Sequence, residues 1–138
     1  MGDYSDPPAE LVGRVRAVCA QLPEAHEEPA WVGVRWRARS HTFAHVLDVH
    51  PESPPVLAST AEIVGAATIV AFRADDDELE ALRHRGPPFL FLGWGRNAVG
   101  LVLDDRTDWD ELSELLTDSY CLRAPQRLVA LVDRPDAP

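Results

Sequence analysis

The chain has 138 residues, a net charge of −10 and 46% hydrophobic residues. This length suits one domain, which we predict to span residues 1–138 with frayed ends at 1–5 and 134–138. No run approaches the ~18 apolar residues that span a bilayer, and the acidic start MGDYSDPPAE does not resemble a signal peptide. We therefore predict a cytoplasmic protein with no membrane contact, and the negative charge disfavours a surface that is cationic throughout.

The first predicted element is a helix that begins at a cap residue, Asp6, and ends before Pro23. Its apolar residues recur at helical spacing and are Leu11, Val15, Val18 and Leu22. Segment 24–29, EAHEEP, is polar and is predicted to be a loop. Residues 30–38 alternate between apolar and polar side chains, which is typical of a half-buried antiparallel strand.

A second strand follows from His41 to Val49, after a turn at Arg39 and Ser40. A hairpin with this turn sets Trp36 opposite Phe43 and Val32 opposite Leu47, so that apolar residues face each other. In this register Phe43, His45, Leu47 and Val49 share the apolar face. We predict that Trp36 and Phe43 are buried on the face that the helices cover.

The rest of the chain predicts an irregular connection, three further strands and two helices. In order these are the connection 50–61, a strand within 63–72, a helix over 76–84, strands over 89–92 and 98–103, a helix that opens with Thr107 and Asp110 in capping spacing, and a short element over 126–132. Strands do not alternate with crossover helices. This order predicts an α+β fold, in which helices pack on one face of an antiparallel sheet of about five strands, as a two-layer sandwich.

The cysteines and histidines do not predict a reactive or metal centre. Cys19 and Cys121 fall in predicted helices of a chain without an export signal, which favours reduced, packed thiols. His41 and His45 are four residues apart, but on a strand that spacing is about 13 Å, too long for one metal ion. A buried, hydrogen-bonded imidazole is the simpler interpretation of His45. We predict no catalytic residue, no metal and no cofactor.

Arg35, Arg37 and Arg39 form the most suggestive pattern, because alternate residues of one strand point the same way. Segment 30–50 carries these three arginines and one aspartate, a local charge of +2 in an acidic chain. Such a row can lie along phosphates. The alternative interpretation is a solvated strand face.

The turn formed by residues 93–97, Gly-Trp-Gly-Arg-Asn, also admits two interpretations. Its glycines beside Arg96 can present backbone N–H groups to an anion, although the spacing matches neither a dinucleotide fingerprint nor a phosphate-binding loop. The alternative is a glycine-rich hairpin turn whose Trp94 covers the core. The acidic run 75–78 is most simply a helix start with a solvated face.

A set of short motifs in a fixed order resembles the YjbR/MmcQ-like proteins. The motifs are Leu22-Pro23-Glu24, Val34-Arg35-Trp36-Arg37, Thr42-Phe43-Ala44-His45, Ala71-Phe72-Arg73, Gly93-Trp94-Gly95, Asp108-Trp109-Asp110-Glu111-Leu112, Leu115-Leu116, Tyr120, Ala124-Pro125 and Leu128. The resemblance implies a small bacterial cytoplasmic protein with a CyaY-like fold, of a kind described as DNA-binding with a double-wing motif. The family often has Gly-Lys at the first hairpin tip and Lys after the later Ala-Pro, where this chain has Arg39-Ser40 and Gln126-Arg127.

Together these observations predict a non-enzymatic binding module that contacts DNA weakly through phosphates. The candidate nucleic-acid-binding residues are Arg35, Arg37, Arg39, His41, Trp94, Arg96 and Arg127. Base readout is not expected, because the predicted helices are acidic on their exposed faces. The alternative is a protein-interaction or small-ligand-binding domain whose acidic surface meets a basic partner.

Overall fold

The computed structural model describes residues 7–30, 32–49, 67–91 and 97–132. Its elements in chain order are α1 (Ala9–Cys19), β1 (Ala25–Pro29), β2 (Val34–Ala38), β3 (His41–Val49), β4 (Ala67–Arg73), α2 (Asp76–Arg85), β5 (Phe89–Phe91), β6 (Ala98–Leu103), α3 (Trp109–Arg123) and α4 (Gln126–Val129). None of the helices in these ranges is long and apolar enough to cross a membrane.

The strands form one antiparallel sheet in the order β1-β2-β3-β4-β6-β5. The buried apolar residues of all four helices belong to a single core with one face of this sheet, and they are Val12, Val15, Cys19, Leu82, Leu112, Leu115, Leu116, Tyr120 and Leu128. The predicted α+β architecture with helices on one face is confirmed, with six strands instead of about five.

The additional strand is β1, which corrects the prediction of a polar loop over residues 24–29. It lies at the edge of the sheet and pairs with β2 from Ala25 opposite Ala38 to Pro29 opposite Val34. Three of its five residues are exposed, so the segment lacks the apolar alternation by which a strand is recognised. Backbone pairing with β2 and ion pairs of its glutamates hold it in place instead.

The predicted register of the β2–β3 hairpin is right next to the turn and wrong farther from it. Arg37 lies opposite Thr42, as predicted, but a β-bulge between Trp36 and Arg37 then shifts the pairing by one residue. Trp36 consequently lies opposite Ala44 rather than Phe43, and the pair nearest the start of β2 is Val34 with Val46. The bulge places one extra residue, Phe43, in β3.

The bulge changes which residues of β3 share a face. Phe43 joins Trp36 in the helix-side core, which confirms the predicted burial of both rings. His45, Leu47 and Val49 do not share that face, because the extra residue turns them to the opposite side of the sheet. Leu47 and Val49 lie there in a second apolar cluster with Val32, Ile69, Ala71, Leu90 and Ala98.

The helix ends follow the predicted chemistry with two corrections. Asp75 caps α2 by accepting a hydrogen bond from the Glu78 backbone N–H at 2.8 Å. In α3 the cap is Asp108, which accepts from the Glu111 N–H at 3.0 Å, rather than Thr107. The N-cap position of α1 is Pro8 rather than Asp6, with no side-chain cap.

Some of the sequence-based expectations fall outside the described residues. They concern the frayed ends at 1–5 and 134–138, the connection 50–61, the start of the strand within 63–72, and the turn that contains Trp94 and Arg96.

Candidate anion-binding cleft

Arg35 and Arg37 lie on the sheet face opposite the helices and share one carboxylate. Arg35 Nε donates to Glu28 Oε2 at 2.7 Å, and Arg37 Nη1 lies 3.3 Å from the same oxygen. The hydrogen bond from Arg35 is the main reason that the pKa of the Glu28 carboxyl is lowered. The strand that the sequence does not reveal, β1, therefore supplies the counter-ion for this pair of arginines.

Arg39 and Arg127 share a second carboxylate, that of Glu24, immediately before β1. The distances to Glu24 are 3.0 Å from Arg39 Nε and 3.8 Å from Arg127 Nη1. Four predicted phosphate-contacting arginines thus meet two glutamates, and half of their positive charge is compensated by these contacts. His41 is exposed at the start of β3, opposite Ala38.

A cleft of about 480 Å³ lies beside this arginine group. The described residues that line it are Ala30, Val32, Arg35, Ser40, Thr42, Phe43, Ala44, His45, Ala71, Phe72, Arg73, Ala98 and Arg123. Its volume falls within the ~300–1,000 Å³ that is typical of small-molecule sites. The cleft is large enough for a metabolite-sized ligand.

The sheet register explains why a cleft forms at this place. Arg35, His45 and Ala71 are successive cross-strand partners on β2, β3 and β4, and Arg73 lies opposite Ala98 on β6. Alanines stand where larger side chains would fill the space between the arginines. Small side chains on the sheet surface thereby leave a hollow that is bordered by cationic groups.

The charge of the lining is unusual for this protein. Arg35, Arg73 and Arg123 line the cleft together with His45, and no aspartate or glutamate is found among its described lining residues. The whole chain has a net charge of −10. The cleft therefore concentrates positive charge in an otherwise acidic molecule.

Arg73 and Arg123 come from different elements, and both line the cleft. Arg73 is the last residue of β4, and Arg123 is the last residue of α3, where its Nε donates to the Thr42 carbonyl at 3.3 Å. The pKa of Arg73 is lowered, first by burial and then by the positive charge of Arg123. Two guanidinium-bearing residues thus line the cleft from different elements.

Ser119 holds this end of the cleft together. Its buried hydroxyl donates to the Phe43 carbonyl at 2.7 Å and accepts from the Arg73 backbone N–H at 2.9 Å. Phe43 is the extra residue of the bulge in β3. The Ser119 hydroxyl therefore connects the backbone of this bulge to the end of β4. Arg73 is positioned through this bridge.

We expect Ser119→Ala to lower the free energy of unfolding by about 2 kcal/mol, because the buried Phe43 carbonyl and the half-buried Arg73 N–H lose their partner. Urea denaturation measures the change. Ser113 offers a matched control, since it is a half-buried serine of the same helix. Equal effects of Ser113→Ala and Ser119→Ala would contradict the bridging role.

His45 lies half-buried in the middle of the cleft wall, which agrees with the interpretation of a buried, hydrogen-bonded imidazole. Its Nε2 donates to the Val32 carbonyl, and its cross-strand neighbours are Arg35 and Ala71. Burial is the main cause that lowers the pKa of His45, and the charge of Arg35 adds to it. The neutral ring is therefore the favoured form in the folded protein.

This lowered pKa predicts a pH dependence of stability. Above the ordinary value of 6.5 the ring is neutral in both states, and its contribution to stability is fully present. As the pH falls from 6.5 through the folded-state pKa, the unfolded chain takes up the proton first and stability is lost. We expect the urea midpoint of the parent protein to fall as the pH is lowered from 7.5 to 5. The His45→Gln variant should lack this fall. An identical pH profile for the variant would contradict the prediction.

Neither Arg73 nor Arg123 is among the site residues predicted from the sequence. Each is a basic residue at the end of a strand or helix, a position that commonly carries a solvated charge. Only the tertiary structure brings the two ends together, because α3 packs on β3 and β4. The sole available signal was the Ala71-Phe72-Arg73 motif within the family resemblance.

Comparisons with known proteins decide the family of the chain. The YjbR family model matches residues 20–122, from the end of α1 almost to the end of α3. The chain belongs to the YjbR family. This confirms the resemblance, and the matched YjbR region includes every described lining residue of the cleft except Arg123.

Two solved structures share this YjbR fold. A Pseudomonas syringae protein superposes with a TM-score of 0.61 at 14% identity, covering 83% of this chain and 98% of its own. DR2400 from Deinococcus radiodurans, with the family domain DUF419, gives a TM-score of 0.56 at 22% identity and covers 80% of this chain and 76% of its own. No curated protein matches the chain significantly. At these identities the likeness shows the fold alone.

Proposed function

We propose that the protein is a non-catalytic binding module whose cleft holds a small anionic ligand with an apolar part. The observation that carries this proposal is a cleft of about 480 Å³ lined by three arginines, with no carboxylate among the described lining residues. Guanidinium groups bind carboxylates and phosphates through paired hydrogen bonds. An anion is therefore the chemistry that the lining complements best.

The proximity of Arg73 and Arg123 supports an anion at this end of the cleft. Both arginines line the cleft, so a negative group that lies between them interacts favourably with two positive charges. Arg123 Nε meets a neutral carbonyl, so that hydrogen bond does not compensate its charge. Binding of an anion gains energy here without first breaking an ion pair of Arg123.

The remaining walls favour an apolar part of the ligand. Val32 and four alanines line the cleft. Removing apolar surface from water stabilises a complex by ~25 cal/mol for each Å² buried. A carboxylate or phosphate attached to an aliphatic or aromatic body fits both features.

The test compares 2-naphthoate with 2-naphthalenemethanol, which has a similar shape and no charge, by isothermal titration calorimetry. We expect naphthoate to bind about tenfold more tightly or better, since a hydrogen bond to a charged group contributes ~1.5–3 kcal/mol. Arg123→Gln should remove the difference. The matched control is Arg106→Gln, which deletes the same charge from an exposed turn between β6 and α3. Equal binding by the parent, Arg123→Gln and Arg106→Gln would overturn the proposal.

Weak contact with DNA phosphates is a second candidate function. One observation favours it: Arg35, Arg37, Arg39 and Arg127 outnumber their two glutamate partners, which leaves a residual positive charge on this surface. Phosphates must compete there with Glu24 and Glu28. This competition makes DNA the less favoured ligand.

The DNA hypothesis is tested with Arg35, Arg37 and Arg39 all changed to glutamine, titrated with random duplex DNA at several salt concentrations. If these residues bind phosphates, the slope of log affinity against log salt falls by about 0.9 for each phosphate-binding arginine that is replaced. Unchanged affinity in a variant that folds and melts like the parent removes this hypothesis. Arg37 and Arg39 do not line the cleft, so changing these two alone should leave naphthoate binding intact.

A further inference from the structure

The cationic groups of the cleft stand at two separate ends. Arg35 is on β2, whereas Arg73 is two strands away on β4 and two residues beyond the row that contains Arg35. With ~4.8 Å between strands and ~3.4 Å per residue, their Cα atoms are about 12 Å apart. Arg123 reaches the cleft wall at Thr42, near the Arg73 end.

Arg35 keeps the capacity to bind an anion despite its ion pair. Its Nε and Nη2 contact Glu28, and its Nη1 has no hydrogen-bond partner within the described ranges. Glu28 also receives Arg37, so one carboxylate serves two guanidinium groups. A second negative charge near Arg35 is thus electrostatically favourable.

The space between the two ends suits an uncharged, slender chain. His45 and Ala71 occupy the row next to Arg35, and Ala98 lies opposite Arg73. The alanines leave room above the sheet, and the imidazole is held to Val32 by its own hydrogen bond. A charged group in the middle of the ligand would lie near His45, Ala71 and Ala98, none of which carries a guanidinium group.

We propose that the ligand of this cleft carries two anionic groups joined by a short apolar chain, one bound by Arg35 and the other by Arg73 and Arg123. This inference rests on the proposed function and specifies its ligand class. Two-point binding of this kind favours a limited range of spacings between the anionic groups, because the strands fix the Cα positions of Arg35 and Arg73. Ligands with one anionic group engage only one end.

The test is a calorimetric series of α,ω-dicarboxylates, namely succinate, adipate and suberate, against butanoate, hexanoate and octanoate. We expect one dicarboxylate to bind about tenfold more tightly or better than the monocarboxylate of equal chain length. Arg35→Gln should abolish this advantage, and Arg123→Gln should weaken both series. Arg106→Gln, with matched melting, should change neither.

A second variant tests the inference in the opposite direction. Glu28→Gln removes the carboxylate that competes for Arg35, so in a variant that melts like the parent it should tighten binding of the preferred dicarboxylate more than binding of the monocarboxylates. The inference is overturned if the two series bind alike while Arg123→Gln still weakens binding, an outcome under which the proposed function stands. If neither naphthoate nor any carboxylate binds in a manner that depends on Arg123, both the inference and the proposed function are overturned.

Discussion

Replacing Trp36 by alanine should lower the free energy of unfolding by about 3–5 kcal/mol, enough to unfold a marginally stable domain. The indole is only 1% exposed and belongs to the core that joins the sheet to the helices. Phe43 and Tyr120, whose rings meet edge to face with centroids 5.3 Å apart, belong to the same core. Removing the indole leaves a cavity that these rings cannot fill without moving.

Urea denaturation followed by circular dichroism measures the effect of Trp36→Ala. The midpoint should fall, while the dependence of the free energy of unfolding on urea concentration stays unchanged. Leu131→Ala is the control, because Leu131 is 68% exposed and its loss should change stability by no more than ~0.5 kcal/mol. A cost below ~1 kcal/mol for Trp36→Ala would show that the indole is not a core residue.

Gly33→Ala should destabilise the protein by about 3 kcal/mol, from backbone strain and steric overlap together. Gly33 has a φ of +80°, a conformation that residues with a Cβ rarely adopt. An added Cβ would also lie 2.0 Å from the Val46 carbonyl oxygen, which belongs to the backbone of β3 and cannot swing aside. The connection between β1 and β2 would have to move away from the sheet.

Gly13→Ala supplies the matched control for this prediction. Gly13 lies within α1, where an added Cβ meets nothing within 4 Å. The same substitution should therefore stabilise the protein by ~0.5–1 kcal/mol, through the higher helix propensity of alanine. Thermal or urea melts of the two variants should shift in opposite directions. A neutral Gly33→Ala would mean that the hairpin turn tolerates a side chain.

Gly33 also matters for the proposed ligand site. The turn that it allows brings β1 back along β2, and Glu28 of β1 meets Arg35 and Arg37. A displaced β1 would release both arginines from their shared carboxylate. The charge at the Arg35 end of the cleft is therefore set by an edge strand that makes little contribution to the core.

The sequence alone was sufficient to predict those helices and strands whose own residues show the pattern of the element. Helix α2 has an acidic first turn, a basic last turn and Gly86 after it, and strand β6 has a continuous apolar run, so both lie almost where they were predicted. The tip of the β2–β3 hairpin was likewise predictable from alternation. The bulge at Phe43 was not, because alternation counts residues and does not show where a partner strand leaves one unpaired.

By itself, the sequence determined the α+β architecture, the burial of Trp36 and Phe43, and membership of the YjbR family, because periodicity and motif order are properties of the chain alone. The tertiary structure decided which charges meet. Glu24 and Glu28 neutralise part of the arginine row, and Arg73 and Arg123 converge on a cleft, through pairings between distant segments. A charged residue has the same local signature whether it faces solvent, a counter-ion or a ligand, so only the assembled sheet and α3 distinguish these roles.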